Sequence, residues 1–210
     1  VGVEYLGRRN VDAFDASGSI ANRIYTLRGA SEHGWSLFGI SDWAVAPNVD
    51  LELGARYSSI EQENDVSLDD SDVGFTAGAV WRASGSHRFS VSLASGYRFP
   101  SLEERFFSGV TAQGEVVGNP ELDSERSLGI DLGHAWTSEY WQTEFHLWRT
   151  DVDDLIQLTG LAPGVNGFDN VSEAKLYGAE ASIGWTPTDR FAVRAIGALV
   201  RSKDELTGDP

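Results

Sequence analysis

The segment 49–57 alternates strictly between two kinds of residue, and this alternation is the feature that most limits how the chain can fold. Odd positions are apolar and even positions are charged or glycine: Val49, Asp50, Leu51, Glu52, Leu53, Gly54, Ala55, Arg56, Tyr57. Successive side chains of a β-strand point to opposite faces of its sheet, so the pattern predicts a strand with one apolar and one aqueous face. Such a sheet separates an apolar medium from water, and both a soluble sandwich and a membrane barrel do that.

The same alternation recurs along the chain and predicts roughly nine strands joined as an antiparallel up-and-down meander. Short turns are expected near residues 47, 85, 138 and 188, and long polar loops at 10–31, 58–72, 100–123 and 159–170. Successive turns of a meander fall at opposite ends of the sheet, so all the short turns lie at one end and all the long loops at the other. This asymmetry is typical of outer-membrane barrels, which have short periplasmic turns and long extracellular loops.

Aromatic residues cluster at the two ends of the predicted strands. Near the short turns, most of them on the apolar face, lie Trp43, Trp81, Phe89, Trp136, Trp141, Trp185 and Phe191, and near the long loops lie Tyr57, Phe75, Tyr97, Phe99 and Tyr177. Two such rings match the aromatic girdles of a membrane barrel. A strand from Tyr177 to Trp185 is ~26 Å long and, tilted by ~40°, spans ~20 Å of a bilayer whose apolar band is ~25 Å thick.

Composition excludes several classes of function. The net charge is −16, which argues against a nucleic-acid partner, and there is no cysteine for a disulfide or a thiolate metal site. The four histidines have no histidine two or four positions away, so we predict no zinc or iron site and no cofactor. No nucleophile motif or phosphate-binding glycine loop occurs, and we predict that the chain is not an enzyme.

The segment 61–72 is rich in carboxylates: Glu61, Glu63, Asp65, Asp69, Asp70 and Asp72. Carboxylates at this spacing are possible Ca²⁺ ligands, but the segment lacks the turn glycine of an EF-hand. The sequence favours a solvated acidic loop and leaves Ca²⁺ binding open.

Four short motifs occur one after another between residues 96 and 180. They are GYRFPSLEE at 96–104, GNPELDSE at 118–125, WRTDVDDLI at 148–156 and NVSEAKLYGAE at 170–180. Together they resemble the barrel motifs of TonB-dependent outer-membrane receptors, over about residues 35–199. The resemblance implies a segment of a 22-stranded transmembrane β-barrel with a plugged lumen. It also implies energised uptake of a scarce nutrient such as an iron-siderophore, haem, cobalamin or a glycan.

The resemblance further implies the surroundings of the chain. The expected location is the outer membrane of a Gram-negative-type cell. The expected partners are outer-membrane lipid, a small-molecule or metal-chelate substrate, and the TonB energy-transducing protein, which acts through a plug region that the sequence lacks. We expect residues 1–210 to be one barrel segment truncated at both ends.

The motifs supply two sets of candidate residues. The architectural set comprises Pro100, Gly118, Asn119, Pro120, Leu122, Glu125, Tyr177, Gly178 and Glu180. Pro100 lacks an N–H and ends the strand ladder, while Gly178 leaves a gap where another chain segment can approach. Three residues on the polar face are candidates for the ligand path: Arg98, His146 and Trp148.

Two other architectures satisfy the same alternation. One is a complete small barrel of 8 to 10 strands that acts as an adhesin, a protease or a structural wall, and the other is a soluble β-sandwich that binds sugar or protein. A complete barrel would follow a signal peptide and end in an apolar strand, and the sequence shows neither. A soluble sandwich would be monodisperse without detergent.

Overall fold

A computed structural model of the chain describes residues 1–15, 24–111, 114–171 and 173–204. Nine strands in these ranges form one sheet: β1 (Gly2–Asp15), β2 (Ile24–Ala46), β3 (Val49–Glu63), β4 (Ser67–Arg82), β5 (His87–Arg98), β8 (Glu125–Thr137), β9 (Trp141–Asp153), β12 (Ala174–Thr188) and β13 (Phe191–Asp204). The other elements are α1 (Leu102–Phe106), β6 (Ser108–Thr111), β7 (Gly114–Val117), β10 (Leu155–Ala162) and β11 (Val165–Val171).

The predicted antiparallel meander is confirmed, because the nine strands of the large sheet pair antiparallel in chain order. Its register places apolar residues beside one another on one face: Leu51 pairs with Trp43 and Ala79, and Leu132 pairs with Val91 and Leu147. We name this the outer face. The opposite, inner face carries Glu52, Arg56 and Ser58, and α1 covers part of it.

Large apolar side chains of the outer face remain exposed. Leu53, Leu132 and Ile183 keep 41%, 47% and 47% of their surfaces accessible. Among the described residues, a cluster of buried hydrophobic side chains lies where α1 meets β2, at Leu27, Ala30 and Leu102. The apolar stripe of the sheet therefore faces out of the protein, as in a barrel whose solvent on that side is lipid. No helix in the described residues is both long enough and apolar enough to cross a bilayer.

The predicted long loop at 58–72 is wrong. The β3–β4 ladder continues from Ser58–Asp72 up to Glu63–Ser67, so only residues 64–66 form the turn. Beyond Tyr57 the outer face carries Ser59, Glu61 and Glu63 instead of apolar residues, which removes the alternation although the strand continues. The acidic segment is thus mostly paired strand.

The other predicted loops are also more ordered than expected. β1 and β2 take up most of segment 10–31, and residues 16–23 lie outside the described part of the chain. Segments 100–123 and 159–170 supply α1 and a second sheet with the strand order β10-β11-β7-β6, in which β7 and β11 run parallel. These strands have four to eight residues, and two distant segments must meet for them to pair, so no local pattern reveals them.

Candidate functional site

Residues 100–123, here called the docked segment, leave the end of β5 and pack against the inner face. Pro100 is fully buried, and its carbonyl oxygen accepts a hydrogen bond from Gln62 Nε2 at 2.8 Å. Ser101 then caps α1: its Oγ accepts from the Glu104 N–H, and the Glu104 carboxylate accepts from the Ser101 N–H at 2.7 Å. This reciprocal capping box explains why so short a helix starts at this point.

Arg105 of α1 holds the docked segment against β3 and β4. Its side chain is 3% exposed, and Nη1 donates to Gln62 Oε1 at 2.9 Å and to Asp70 Oδ2 at 2.6 Å. Nη2 donates to the carbonyl oxygen of Leu122 at 2.9 Å, which ties the far end of the segment to the same guanidinium. Gln62 in turn donates to Glu32 Oε2 at 2.7 Å and is fully buried. A buried charge network therefore anchors the segment.

Arg98, a candidate for the ligand path, lies at the end of β5 between two carboxylates. Its guanidinium donates to both oxygens of Glu104 at 2.8 and 3.0 Å and to both oxygens of Glu125 at 2.7 and 2.6 Å. Burial acts to raise the pKa of the Glu104 carboxyl, but hydrogen bonds from Arg98 and Ser101 outweigh burial and hold this pKa below its usual range. Arg98 remains 44% exposed in its side chain while it makes these bonds.

The GNPELDSE motif closes the docked segment. A Cβ at Gly118 would lie 2.6 Å from the carbonyl carbon and oxygen of Arg105, so only glycine allows this close approach. Asn119 donates its backbone N–H to Glu104 O at 2.9 Å and its Nδ2 to Phe168 O at 3.1 Å. Pro120 follows in the turn, and Leu122 is buried at 3% exposure. The contacts of Gly118 and Asn119 are with backbone atoms of the protein.

Asn170, the first residue of the last motif, connects the docked segment to the short link between β9 and β10. Its Nδ2 donates to Asp123 O at 3.1 Å and to Asp154 O at 2.7 Å, while its Oδ1 accepts from the Asp123 N–H at 2.9 Å. Ser172 of the same motif lies outside the described residues. Glu125, at the start of β8, links that strand to β10 by accepting a hydrogen bond from the Ile156 N–H at 2.9 Å.

His146 and Trp148 lie together on the inner face of β9. His146 Nδ1 is 3.1 Å from Asp131 Oδ1, and Glu180 is its register partner on β12. Trp148 lies beside Gly178, where a Cβ would be 2.7 Å from Trp148 Cζ2 and 2.5 Å from Leu199 O. The indole of Trp148 therefore occupies the space that a side chain at position 178 would need. The neighbouring Tyr177 points to the outer face, with 44% of its surface exposed.

A polar cluster that the sequence analysis missed lies on the inner face beneath the docked segment. Ser58 Oγ accepts from Tyr97 Oη at 2.5 Å and is 2.6 Å from Ser36 Oγ, while Arg56 donates to both serines and forms an ion pair with Glu4. This cluster borders a cavity of about 760 Å³ that is open on one side. The predicted placement of Tyr97 in an aromatic ring on the apolar face is wrong, because its hydroxyl donates to Ser58 on the inner face. The β4–β5 pairing stops at Phe75–Ser95, before Tyr97.

The inner face can bind a polar ligand by hydrogen bonds and charge. Among residues 1–15, 24–111, 114–171 and 173–204, no group of three or more His, Asp or Glu side chains is arranged to hold a metal ion. The chemistry offered is recognition by guanidinium and hydroxyl groups next to the cavity, and by the imidazole and indole of His146 and Trp148 elsewhere on the inner face.

Comparison with known families matches the whole chain, residues 1–210, to "TonB dependent receptor-like, beta-barrel". Solved structures agree in fold. The chain superposes on "Copper transporter OprC" with a TM-score of 0.77 at 17% identity, covering 98% of this chain and 35% of that one. It superposes on the hemophore receptor HasR of Serratia marcescens, solved with its hemophore HasA and heme, with a TM-score of 0.76 at 16% identity (85% and 35% covered).

A further solved structure is the ferric yersiniabactin uptake receptor FyuA from Yersinia pestis. Its TM-score is 0.60 at 16% identity, with 96% of this chain and 32% of that chain covered. The chain thus spans about a third of the length of these receptors.

Proposed function

Because the chain belongs to the TonB-dependent receptor-like β-barrel family, we propose that it forms part of the wall of an outer-membrane receptor that takes up a scarce nutrient. The family consists of transport proteins and not of enzymes. We propose that residues 1–210 are one segment of a 22-stranded barrel, truncated at both ends. Its α1-bearing end is then extracellular, and its short turns are periplasmic.

The observation that carries this proposal is the difference between the two faces of the sheet. The outer face exposes an apolar band bounded at the short turns by cross-strand aromatic contacts, such as Trp81–Phe89 at 5.6 Å and Trp141–Trp185 at 5.7 Å between centroids. The inner face holds charged and hydroxyl groups, and the docked segment packs on it. Lipid on one side and an aqueous lumen on the other account for both faces.

The proposed substrate is a small molecule or a metal chelate, in the class of iron-siderophores, haem, cobalamin or glycans. The similar solved receptors are described as handling copper, heme and ferric yersiniabactin, which supports this class without selecting a member of it. Proposed contacts on the substrate path are Arg98, His146 and Trp148, since each presents a polar or π-bearing group on the inner face. Energy is proposed to come from TonB through the plug of the complete receptor.

The test is uptake by the complete receptor that contains this chain. Cells carrying it are compared with a deletion strain for accumulation of labelled ferric siderophores, haem, cobalamin and oligosaccharides, with and without TonB. The expected result is TonB-dependent accumulation of one class, at least tenfold above the deletion strain. Equal accumulation of every class in both strains would contradict the proposal.

The proposed path residues are tested in the same assay. His146→Ala combined with Trp148→Ala should weaken substrate binding to cells by about tenfold, because both side chains face the lumen. Glu139→Ala, at the turn between β8 and β9, serves as the control and should leave binding unchanged. Wild-type binding by the double variant would remove both residues from the path.

A further inference from the structure

Two histidines that are far apart in sequence meet on the outer face, at the short-turn end of the sheet. His87 begins β5 and His134 lies near the end of β8, and the register places them diagonally across the strand pair. Nδ1 of His87 and Nε2 of His134 lie 3.1 Å apart, and the rings are nearly parallel, with an interplanar angle of 15°. Both side chains are part-buried.

The separation of these two nitrogens fits a shared metal ion. With metal–nitrogen bonds of about 2.0–2.1 Å, nitrogens 3.1 Å apart subtend roughly 95–100° at the ion. That angle lies between the ~90° of neighbouring corners in a tetragonal Cu²⁺ site and the ~109° of a tetrahedral Zn²⁺ site. The two nitrogens face each other along the line that joins the ring centroids, which are 5.4 Å apart. Each ring therefore turns by about 40° to direct its lone pair at one ion with metal–nitrogen bonds of about 2.0–2.1 Å.

Binding of a metal ion by the two imidazoles requires a change of tautomer in one of them and no redox step. In the present hydrogen bond, one facing nitrogen carries a proton and the other accepts it. When the donor imidazole adopts its other tautomer, both facing nitrogens present lone pairs, and two neutral imidazoles bind the ion.

Aromatic rings flank both imidazoles. Phe89 stacks on His134 at 4.7 Å between centroids, and Trp136 stacks on His87 at 6.4 Å. These contacts restrict the imidazoles, so less side-chain freedom is lost when a metal binds. Because no third His, Asp or Glu of the described residues completes the set, water fills the other positions and the ion remains exchangeable.

We infer that His87 and His134 form a binding site for one divalent transition-metal ion that prefers imidazole, of the Cu²⁺ and Zn²⁺ class. The bound ion links β5 to β8 at the membrane interface. The site lies on the outer face, whereas the proposed contacts of the transport path lie on the inner face, so it is independent of the proposed transport path.

The test uses the complete receptor, without a histidine tag, in detergent micelles. Calorimetric titration with CuCl₂ is compared for wild type, His87→Gln and His134→Gln. His33→Gln is the matched control, since His33 also contacts an outer-face partner, Tyr5 Oη at 3.1 Å, but at the other end of the sheet. We expect each test variant to bind one Cu²⁺ fewer than wild type, or to bind it at least tenfold more weakly, and His33→Gln to match wild type.

Electron paramagnetic resonance of the Cu²⁺-loaded receptor should show hyperfine coupling from two imidazole nitrogens that disappears in either test variant. Equal Cu²⁺ stoichiometry and affinity in wild type and both variants would overturn the inference. If a variant fails to fold, protection of wild-type His87 and His134 from diethylpyrocarbonate by ZnCl₂ replaces it. In that measurement, unchanged modification of both residues would overturn the inference.

Discussion

At the scale of single residues, the docked segment depends on one buried cation more than on several exposed ones. Arg105→Ala leaves the Asp70 carboxylate, Gln62 Oε1 and Leu122 O without their donor, and breaking a buried pair in this way costs about 3–5 kcal/mol. We expect this loss to appear as faster hydrogen exchange of residues 101–107 in the complete receptor, with the barrel strands unaffected.

Arg126→Ala is the matched control for Arg105→Ala. Arg126 also pairs with a carboxylate of β4, Asp72, at 2.8 Å, but its side chain is 62% exposed. Pairs of that kind contribute about 0–1 kcal/mol. Equal exchange rates in the two variants would show that the buried network does not anchor the segment.

Gly178 has no room for a side chain, because the indole of Trp148 and the backbone of β13 lie too close to it. A Cβ there meets the carbonyl oxygen of Leu199 at 2.5 Å, and backbone of a paired strand cannot move away cheaply. We expect Gly178→Ala to destabilise the β9–β12–β13 region by about 1–3 kcal/mol, measured by urea unfolding of the refolded receptor. Gly197→Ala is the control, because a Cβ at Gly197 has no neighbour within 4 Å, and equal effects of both changes would contradict the steric explanation.

At the scale of elements, α1 is a five-residue helix whose position depends on charge. The folded-state pKa of Glu104 lies below its unfolded value of about 4.3, so its contribution to docking is complete above that pH and is lost as the pH falls through the folded-state value. A spin label at position 103 should therefore keep constant mobility from pH 7 to 5 and gain mobility as the pH falls through the folded-state pKa, which is lower than the unfolded value.

Glu104→Gln tests this assignment. The amide cannot form the charged pair with Arg98, so the label in this variant should be mobile at pH 7 and should change much less on acidification. A variant that retains the acid transition of the wild type would assign the titration to another carboxyl group, such as Glu125.

At the scale of the whole molecule, the sheet has the polarity of a barrel wall. Leu132→Arg places a charge on the outer face within the apolar band and should cost about 2–4 kcal/mol on folding into lipid vesicles. Ser92→Arg on the neighbouring strand faces inward beside Asp131, so it should fold as wild type does. The reverse order of effects would mean that the apolar face is not the lipid face.

The alternation of apolar and polar residues predicted most of the large sheet and little of the candidate functional site. The alternation in 49–57 and its repeats indicated the nine strands and both faces, because the period of side-chain direction is a property of the strand itself. It failed at 58–63, where the strand leaves the apolar band and its outer face carries serine and glutamate instead of apolar residues. The motif residues Pro100, Gly118 and Asn119 were recognised, but their partners Gln62, Arg105 and Phe168 were not.

Neighbouring residues alone specify which parts of the chain form strands in the apolar band and which side of each strand is apolar. Which distant groups meet depends instead on the folded sheet. Arg105 with Asp70, His87 with His134, and β7 with β11 are each brought together by strand register and by loops that close over tens of residues. Such contacts depend on the geometry of the whole sheet, and no residue within a local window specifies them.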